Sequence, residues 1–216
     1  PKIIVTLELA FMAVAFAVIM GVPAGLLTAM RQDRWPDFVV RTIAIFGLSV
    51  PSFYIATVVL TLLAVNFDWI PRLSYTAIWD NPIGNIQQFA FPAFILSLST
   101  AASVMRFTRT MMLDVLRQDY IRTAWSKGLR ERVVVSRHAL KNAMLPVITI
   151  LGLTMASLVG GTVIFETIFA LPGVGSYLSY AVFQKDFAPV QAVVLLFACS
   201  VIIINLIVDI SYTVLD

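Results

Sequence analysis

The chain reads as an all-α, polytopic membrane helical bundle of about five transmembrane helices, and three features of its sequence support this. Hydrophobic residues make up 60% of its 216 residues and charged residues only 12%, with a mean hydropathy of +0.92. A soluble domain carries about 25% charge, and burying this much apolar surface calls for lipid rather than one globular core. The apolar residues fall in runs near the roughly 20 residues that a helix needs to cross the hydrocarbon at about 1.5 Å per residue. No stretch shows the strict alternation of a membrane β-barrel strand.

The first span is expected over residues 4–29, with Gly21, Pro23 and Gly25 inside it. Gly21 and Gly25 lie four apart and permit close helix contact. The second, 42–65, is broken by Pro51. The third begins near Phe89 and leaves the apolar phase near Arg106. The fourth covers 143–165, with Pro146 early and Gly160 and Gly161 as a second place for close contact; the fifth covers 190–208. Pro51, Pro92 and Pro146 mark kinks, either at gates or in plain packing. Glu8, near the outer end of the first span, either faces a pathway or a basic partner, or is an interfacial carboxylate in water. Asn205 and Asp209 share one face of the fifth span, as a latch to basic loop residues or as ordinary interface polarity. His138 and the methionines read as structural.

Charge placement sets the orientation. Arg31, Arg34 and Arg41 lie between spans one and two. Nine of the fifteen Lys and Arg residues fall between spans three and four: Arg106, Arg109, Arg117, Arg122, Lys127, Arg130, Arg132, Arg137 and Lys141. The opposite loops, 68–87 and 166–186, hold Arg72 and Lys185, and the N-terminal end adds Lys2. The basic side is the cytoplasmic side. The C-terminus is therefore expected inside and residue 1 outside. An external start with neither Met nor a signal-peptide pattern suggests an upstream span. The net charge of +3 follows from loop placement and does not support nucleic-acid binding. One His, one Cys and no Gly-rich phosphate loop argue against a catalytic centre, a metal site or a bound cofactor.

The basic segment 106–141 is the most informative stretch. Its helical pattern is expected to run on from span three through Asp114, Leu116 and Tyr120 to Ala124 and to stop at Gly128, just after Lys127. A second helix is expected from about Arg130 into span four. Tyr120 and Trp125 are large apolar contacts on the short first limb and suit a protein groove. A basic amphipathic helix on anionic lipid, or a plain solvated loop, remain alternatives at this level.

Several motifs carry a resemblance. Asp119-Tyr120-Ile121-Arg122-Thr123-Ala124 is followed by Gly128, and His138-Ala139-Leu140-Lys141-Asn142-Ala143 by Pro146. Thr6-Leu7-Glu8-Leu9 opens span one, Ser49-Val50-Pro51-Ser52-Phe53 lies in span two, and Glu166-Thr167-Ile168-Phe169 precedes Pro172-Gly173-Val174-Gly175. Together these resemble the permease subunit of a binding-protein-dependent ABC importer, in the branch that imports dipeptides, oligopeptides and nickel. The general family motif Glu-Ala-Ala, three residues, Gly stands here as Arg122-Thr123-Ala124 and Gly128, a form similar to that branch.

The resemblance covers the whole chain and implies a single transmembrane domain over 1–216. It implies a cytoplasmic coupling loop at 106–142, and a sixth, N-terminal helix before this segment. It implies a second permease, homologous or identical, two cytoplasmic ATPase subunits that hold ATP and magnesium, and an external solute-binding protein. Asp119, Tyr120, Arg122, Thr123, Ala124, Lys127 and Gly128 would couple to the ATPase, with Ala124 packed at that contact. Glu166, Pro172, Gly173 and Gly175 would belong to the external mouth. The substrate would be a di- or oligopeptide or a nickel chelate. An ATPase-independent channel or carrier is the alternative, although a carrier would usually show internal repeats; a membrane scaffold is a third reading.

Overall fold

A computed structural model describes residues 2–71 and 75–215, except for the side chains of 209 and 211–215. Arg72, used in the charge count, lies outside the described residues. The helices in chain order are α1 (Lys2–Met30), α2 (Trp35–Ser49), α3 (Ser52–Phe67), α4 (Pro82–Leu116), α5 (Asp119–Ser126) and α6 (Glu131–Val133). A π turn (Val134–Ala139) then leads into α7 (Leu140–Ile168), α8 (Val174–Phe183) and α9 (Phe187–Leu215). Four of these helices, counting α6 to α7 as one, are long and apolar enough to cross a membrane.

The fold is organised by α1 and α4, which run parallel. Asn85 Nδ2 donates to Glu8 Oε2 at 3.2 Å, and Thr28 Oγ1 meets Met105 Sδ, both at a sequence offset of 77. Between them Phe16 packs edge-on against Phe94, at 6.0 Å between ring centroids. A constant offset along two helices means a common direction. The contact is close because Gly21 and Gly25 present bare backbone. A Cβ on Gly21 would lie 2.7 Å from Ala101 O, and one on Gly25 2.6 Å from Thr108 Cβ.

Two parallel neighbours require the chain between them to return across the bundle. Helices α2 and α3 do this once, although they meet at 90°. Their contacts move steadily along α4. Asp37 pairs with Arg109, Ala44 packs on Ala102 and Met105, and Trp69 meets Phe91 at 5.5 Å. The elbow is at Pro51, whose ring forces Val50 out of helical geometry, to φ −101 and ψ 123. The second span is thus two helices rather than one kinked helix, while α4 and α7 continue through Pro92 and Pro146.

Helix α4 starts at Asn81, whose side chain accepts from Gly84 N at 2.9 Å with Pro82 just behind it. Helix α7 returns antiparallel to α1: Ala143 shares a core with Ala29 and Met112 at one end, and Glu166 meets Thr6 at the other. Helix α9 packs on α7 where Gly152 faces Val208. Gly160 and Gly161, expected at a helix contact, point into open space in this chain. The basic residues between α1 and α2 and those from Arg106 to Lys141 therefore gather at one end of the bundle.

The same substitution at two glycines should separate these environments. Gly25→Ala should cost about 1–3 kcal/mol through overpacking against Thr108 and Met105, lowering the thermal unfolding midpoint of the detergent-solubilised protein by several degrees. Gly160→Ala should leave that midpoint unchanged or slightly raised.

Candidate functional site

The basic end is built around α5. Helix α4 stops at Leu116, and Gln118 is extended at φ −71 and ψ 149 before α5 begins. The expected continuous helix through Ala124 is therefore two helices. The break turns α5 so that its apolar face, Ile121 and Ala124, meets the rest of the chain. Both are buried against Ala29, Met112, Val134, Val135, Ala139 and Ala143. Asn142 Nδ2 donates to Tyr120 Oη at 2.8 Å. The Asp119–Ala124 and His138–Pro146 motifs are thus two halves of one packed unit.

This seating corrects the expectation for Ala124. It is only 7% exposed inside its own chain and offers no surface to a partner. The outward face of α5 consists of Asp119, Arg122, Thr123, Ser126 and Lys127, flanked by half-exposed Tyr120 and Trp125. Asp119 and Arg122 approach to 3.7 Å, but both are largely solvated, so the pair contributes little.

Gly128 ends α5 at φ +77, with Gly128 N donating to Trp125 O at 2.9 Å and Leu129 N to Ala124 O at 3.4 Å. That pair of bonds is the Schellman arrangement, in which glycine avoids a left-handed penalty. A Cβ there would touch nothing within 4 Å, so the requirement for glycine is conformational.

A second element clamps the same end. Asp37 is fully buried and takes a bidentate pair from Arg109, Nε to Oδ1 at 3.0 Å and Nη2 to Oδ2 at 2.8 Å. Asp33 N donates to Asp37 Oδ2 at 3.0 Å, and Arg41 lies 3.7 Å away. The clamp fixes the start of α2 to the α4 extension beyond the apolar region.

At the opposite end, where the external mouth is expected, Glu166 is the central group. It is fully buried. Its carboxylate accepts from Thr6 Oγ1 at 2.6 Å and from Ser176 N at 2.9 Å, while Val174 N donates to Thr6 Oγ1 at 3.0 Å. The carboxylate satisfies the free N–H groups at the start of α8, a helix within what was read as an outer loop. Gly173 has no room for a side chain because a Cβ would collide with the Glu166 carboxylate. One on Gly175 would lie 3.0 Å from Glu166 Oε2. Only Pro172 of the expected mouth residues is exposed.

Among the described residues Glu8 has no basic partner, and its carboxylate is not free. It accepts from Tyr75 Oη at 3.2 Å and from Asn85 Nδ2. Burial first, and then the neighbouring Glu8 carboxylate, raise the Tyr75 phenol above its ordinary pKa. Tyr75 therefore stays protonated and donates throughout the physiological range.

Residues 21–216 match the family described as binding-protein-dependent transport system inner membrane component. The chain belongs to this family. It is 41% identical over 212 residues to a Brucella suis protein provisionally described as a peptide transport system permease, covering 98% of this chain and 68% of that one. It is 38% identical over 211 residues to the glutathione transport system permease protein GsiC of Escherichia coli K12, covering 98% of this chain and 66% of that protein. Among solved structures, the inward-facing MetNI methionine ABC transporter superposes with a TM-score of 0.80 at 16% identity, over 100% of this chain and 94% of that chain. An amino acid ABC transporter with histidines gives 0.72 at 14%, over 98% and 91%. The likeness to these solved structures is one of fold.

The chain is a multi-pass inner-membrane transport component rather than an enzyme, and the family entails ATPase, solute-binding and second permease partners. Among the described residues, no three His, Cys, Asp or Glu side chains gather in a metal-binding group.

Several side-chain pairings of the permease escape a linear reading. Thr6 and Glu166 are 160 residues apart, Asp37 and Arg109 are 72 apart, and no local signal pairs them. Asn142 lies inside a motif already singled out, so its partnership with Tyr120 was within reach. Among the described residues Asn205 makes no latch to the basic loop; its Oδ1 is buried and meets no hydrogen-bond partner there. The side chain of Asp209 lies outside the described residues.

Glu166→Ala should leave the Thr6 hydroxyl and the Ser176 N–H without their acceptor, at about 1–3 kcal/mol for each group. Limited proteolysis should then cut near residues 172–176 faster than in wild type. Ala124→Asp should bury an unpaired carboxylate at a cost of several kcal/mol. It should release α5 from its seat, read as faster cleavage between Gln118 and Arg130 in protein that still inserts in the membrane.

Proposed function

We propose that this permease forms the translocation path of an ATP-driven peptide importer, with its basic end in the cytoplasm and α5 as the helix that docks with the ATPase. The observation carrying this reading is α5 itself. Its apolar face is used up inside the chain, and a polar face flanked by Tyr120 and Trp125 is left outward at the most basic end of the bundle. Charge asymmetry supports that end and the C-terminus lying inside, with the outer turn around Pro172 toward the solute-binding protein.

Peptides are favoured as substrate by the relatives described for peptide and glutathione transport, glutathione being a tripeptide. A nickel chelate is the other substrate of the branch. ATP and magnesium are held by two ATPase subunits, and a homologous or identical permease completes the path.

Coupling follows from the packing. ATP favours the closed ATPase pair, and only such differential affinity can shift the membrane equilibrium. A push on α5 passes through Ile121 and Ala124 to Ala29 at the end of α1 and Ala143 at the start of α7. Asp119, Arg122, Thr123 and Lys127 are the polar contacts of that joint, and Gly128 sets the angle at which α5 is presented.

Trp125→Ala together with Arg122→Glu should reduce peptide uptake by about tenfold or more, the scale of losing an interface anchor. The permease should still insert, the binding protein should keep its ligand, and the loaded binding protein should no longer stimulate ATP hydrolysis. Wild-type uptake in that double variant would remove α5 from the coupling path. Orientation is tested separately, with Cys199 replaced. A cysteine at position 80 should react with an impermeant reagent on whole cells, and one at position 127 should not; the reverse pattern would invert the topology.

A further inference from the structure

The basic end contains a cavity that neither α5 nor the Asp37 clamp uses. It has a volume of about 560 Å³ and lies between the turn after α1 and the π turn before α7. Arg31, Arg34 and Arg132 surround it, with Glu131 as the one acidic side chain on its rim. Among the described residues none of the three guanidinium groups has an ion pair or hydrogen-bond partner. Three exposed cations converging on one hollow repel each other, which favours an anionic occupant.

The walls say more about that occupant. Leu26 and Met30 form the last turn of α1, and Leu140 is the first residue of α7. Both helices enter the apolar region here, so the cavity has a charged rim at the water side and an apolar floor toward the hydrocarbon. The π turn contributes Val135 and Ser136 to the wall. A wider turn opens a helix surface, and such turns recur at functional sites. Residues of α5 do not line the hollow, so it is separate from the face offered for coupling.

We propose that this cavity binds the phosphate headgroup of an anionic phospholipid. Guanidinium forks match phosphate oxygens in pairs, and basic pockets between membrane helices suit anionic headgroups. The acyl chains would run down along Leu26, Met30 and Leu140. A free phosphate ion shares the headgroup chemistry but has no use for the apolar floor. The inference rests on the bundle lying in a bilayer, not on the coupling role of α5.

The test uses the assembled transporter in nanodiscs of phosphatidylglycerol mixed with phosphatidylcholine, with retained lipid counted by native mass spectrometry. Wild type should retain phosphatidylglycerol about tenfold over phosphatidylcholine. Arg31→Gln, Arg34→Gln and Arg132→Gln combined should abolish the preference, and Arg132→Gln alone should weaken it in a protein altered at one exposed position. Arg117→Gln, basic and at the same end but outside the cavity, should leave it intact. Equal preference in the triple variant, or equal loss with Arg117→Gln, would overturn the site. Displacement of the lipid by inorganic phosphate would make it a free-anion site instead. No preference in the assembled transporter, with one appearing once the ATPase subunits are stripped off, would reassign the arginines to that partner.

Discussion

The backbone contact between α1 and α4 is the constraint on which the rest of the structure depends. Gly21 and Gly25 let α1 approach the Ala101 and Met105 carbonyls more closely than any side chain would allow. In lipid no hydrophobic force drives helices together, so close packing of small residues is a principal source of cohesion. Because the two helices are parallel, the intervening chain must cross the bundle once. The return of α2 and α3 across the bundle, and the meeting of the basic residues that follow α1 with those at the end of α4, follow from that geometry.

Polar groups then fix what packing leaves loose. The Asp37–Arg109 pair holds the bent second span to α4 at the basic end, and Glu166 holds α1, α7 and α8 together at the other. Buried polar groups of this kind are weak evidence for stability. Each makes directional bonds that determine which helices meet and in what register. The two clusters sit at opposite ends of the same helix set, where apolar packing alone would allow sliding.

The basic end combines a rigid seat with an open face. Ile121 and Ala124 make α5 part of the core shared by α1, α4 and α7, so α5 is not a loop hung on the bundle. Its position is determined by the chain itself, while its polar face remains free. Such an arrangement suits the proposed coupling role, because a packed core responds as a unit rather than deforming locally. The arginine-rimmed cavity beside it lies at the boundary between the same helices and the membrane surface.

Much of this was legible in the amino-acid sequence. Apolar runs marked the four helices long and apolar enough to cross a membrane and the bent α2–α3 pair, since the hydrocarbon sets the length of a span whatever its neighbours are. Gly128 announced the end of α5, because a left-handed cap is a local requirement and glycine meets it locally. The motif around Asp119 and Ala124 marked a short helix ahead of Gly128. What the sequence left undetermined depends on groups far apart in the chain. The face of α5 that Ala124 occupies, the burial of Glu166 against Thr6, the clamp between Asp37 and Arg109, and the open position of Gly160 are set by neighbours that only folding brings together. Composition and period report the medium around a helix and its local geometry; which side chains meet is decided by helix direction and register, and these exist only in three dimensions.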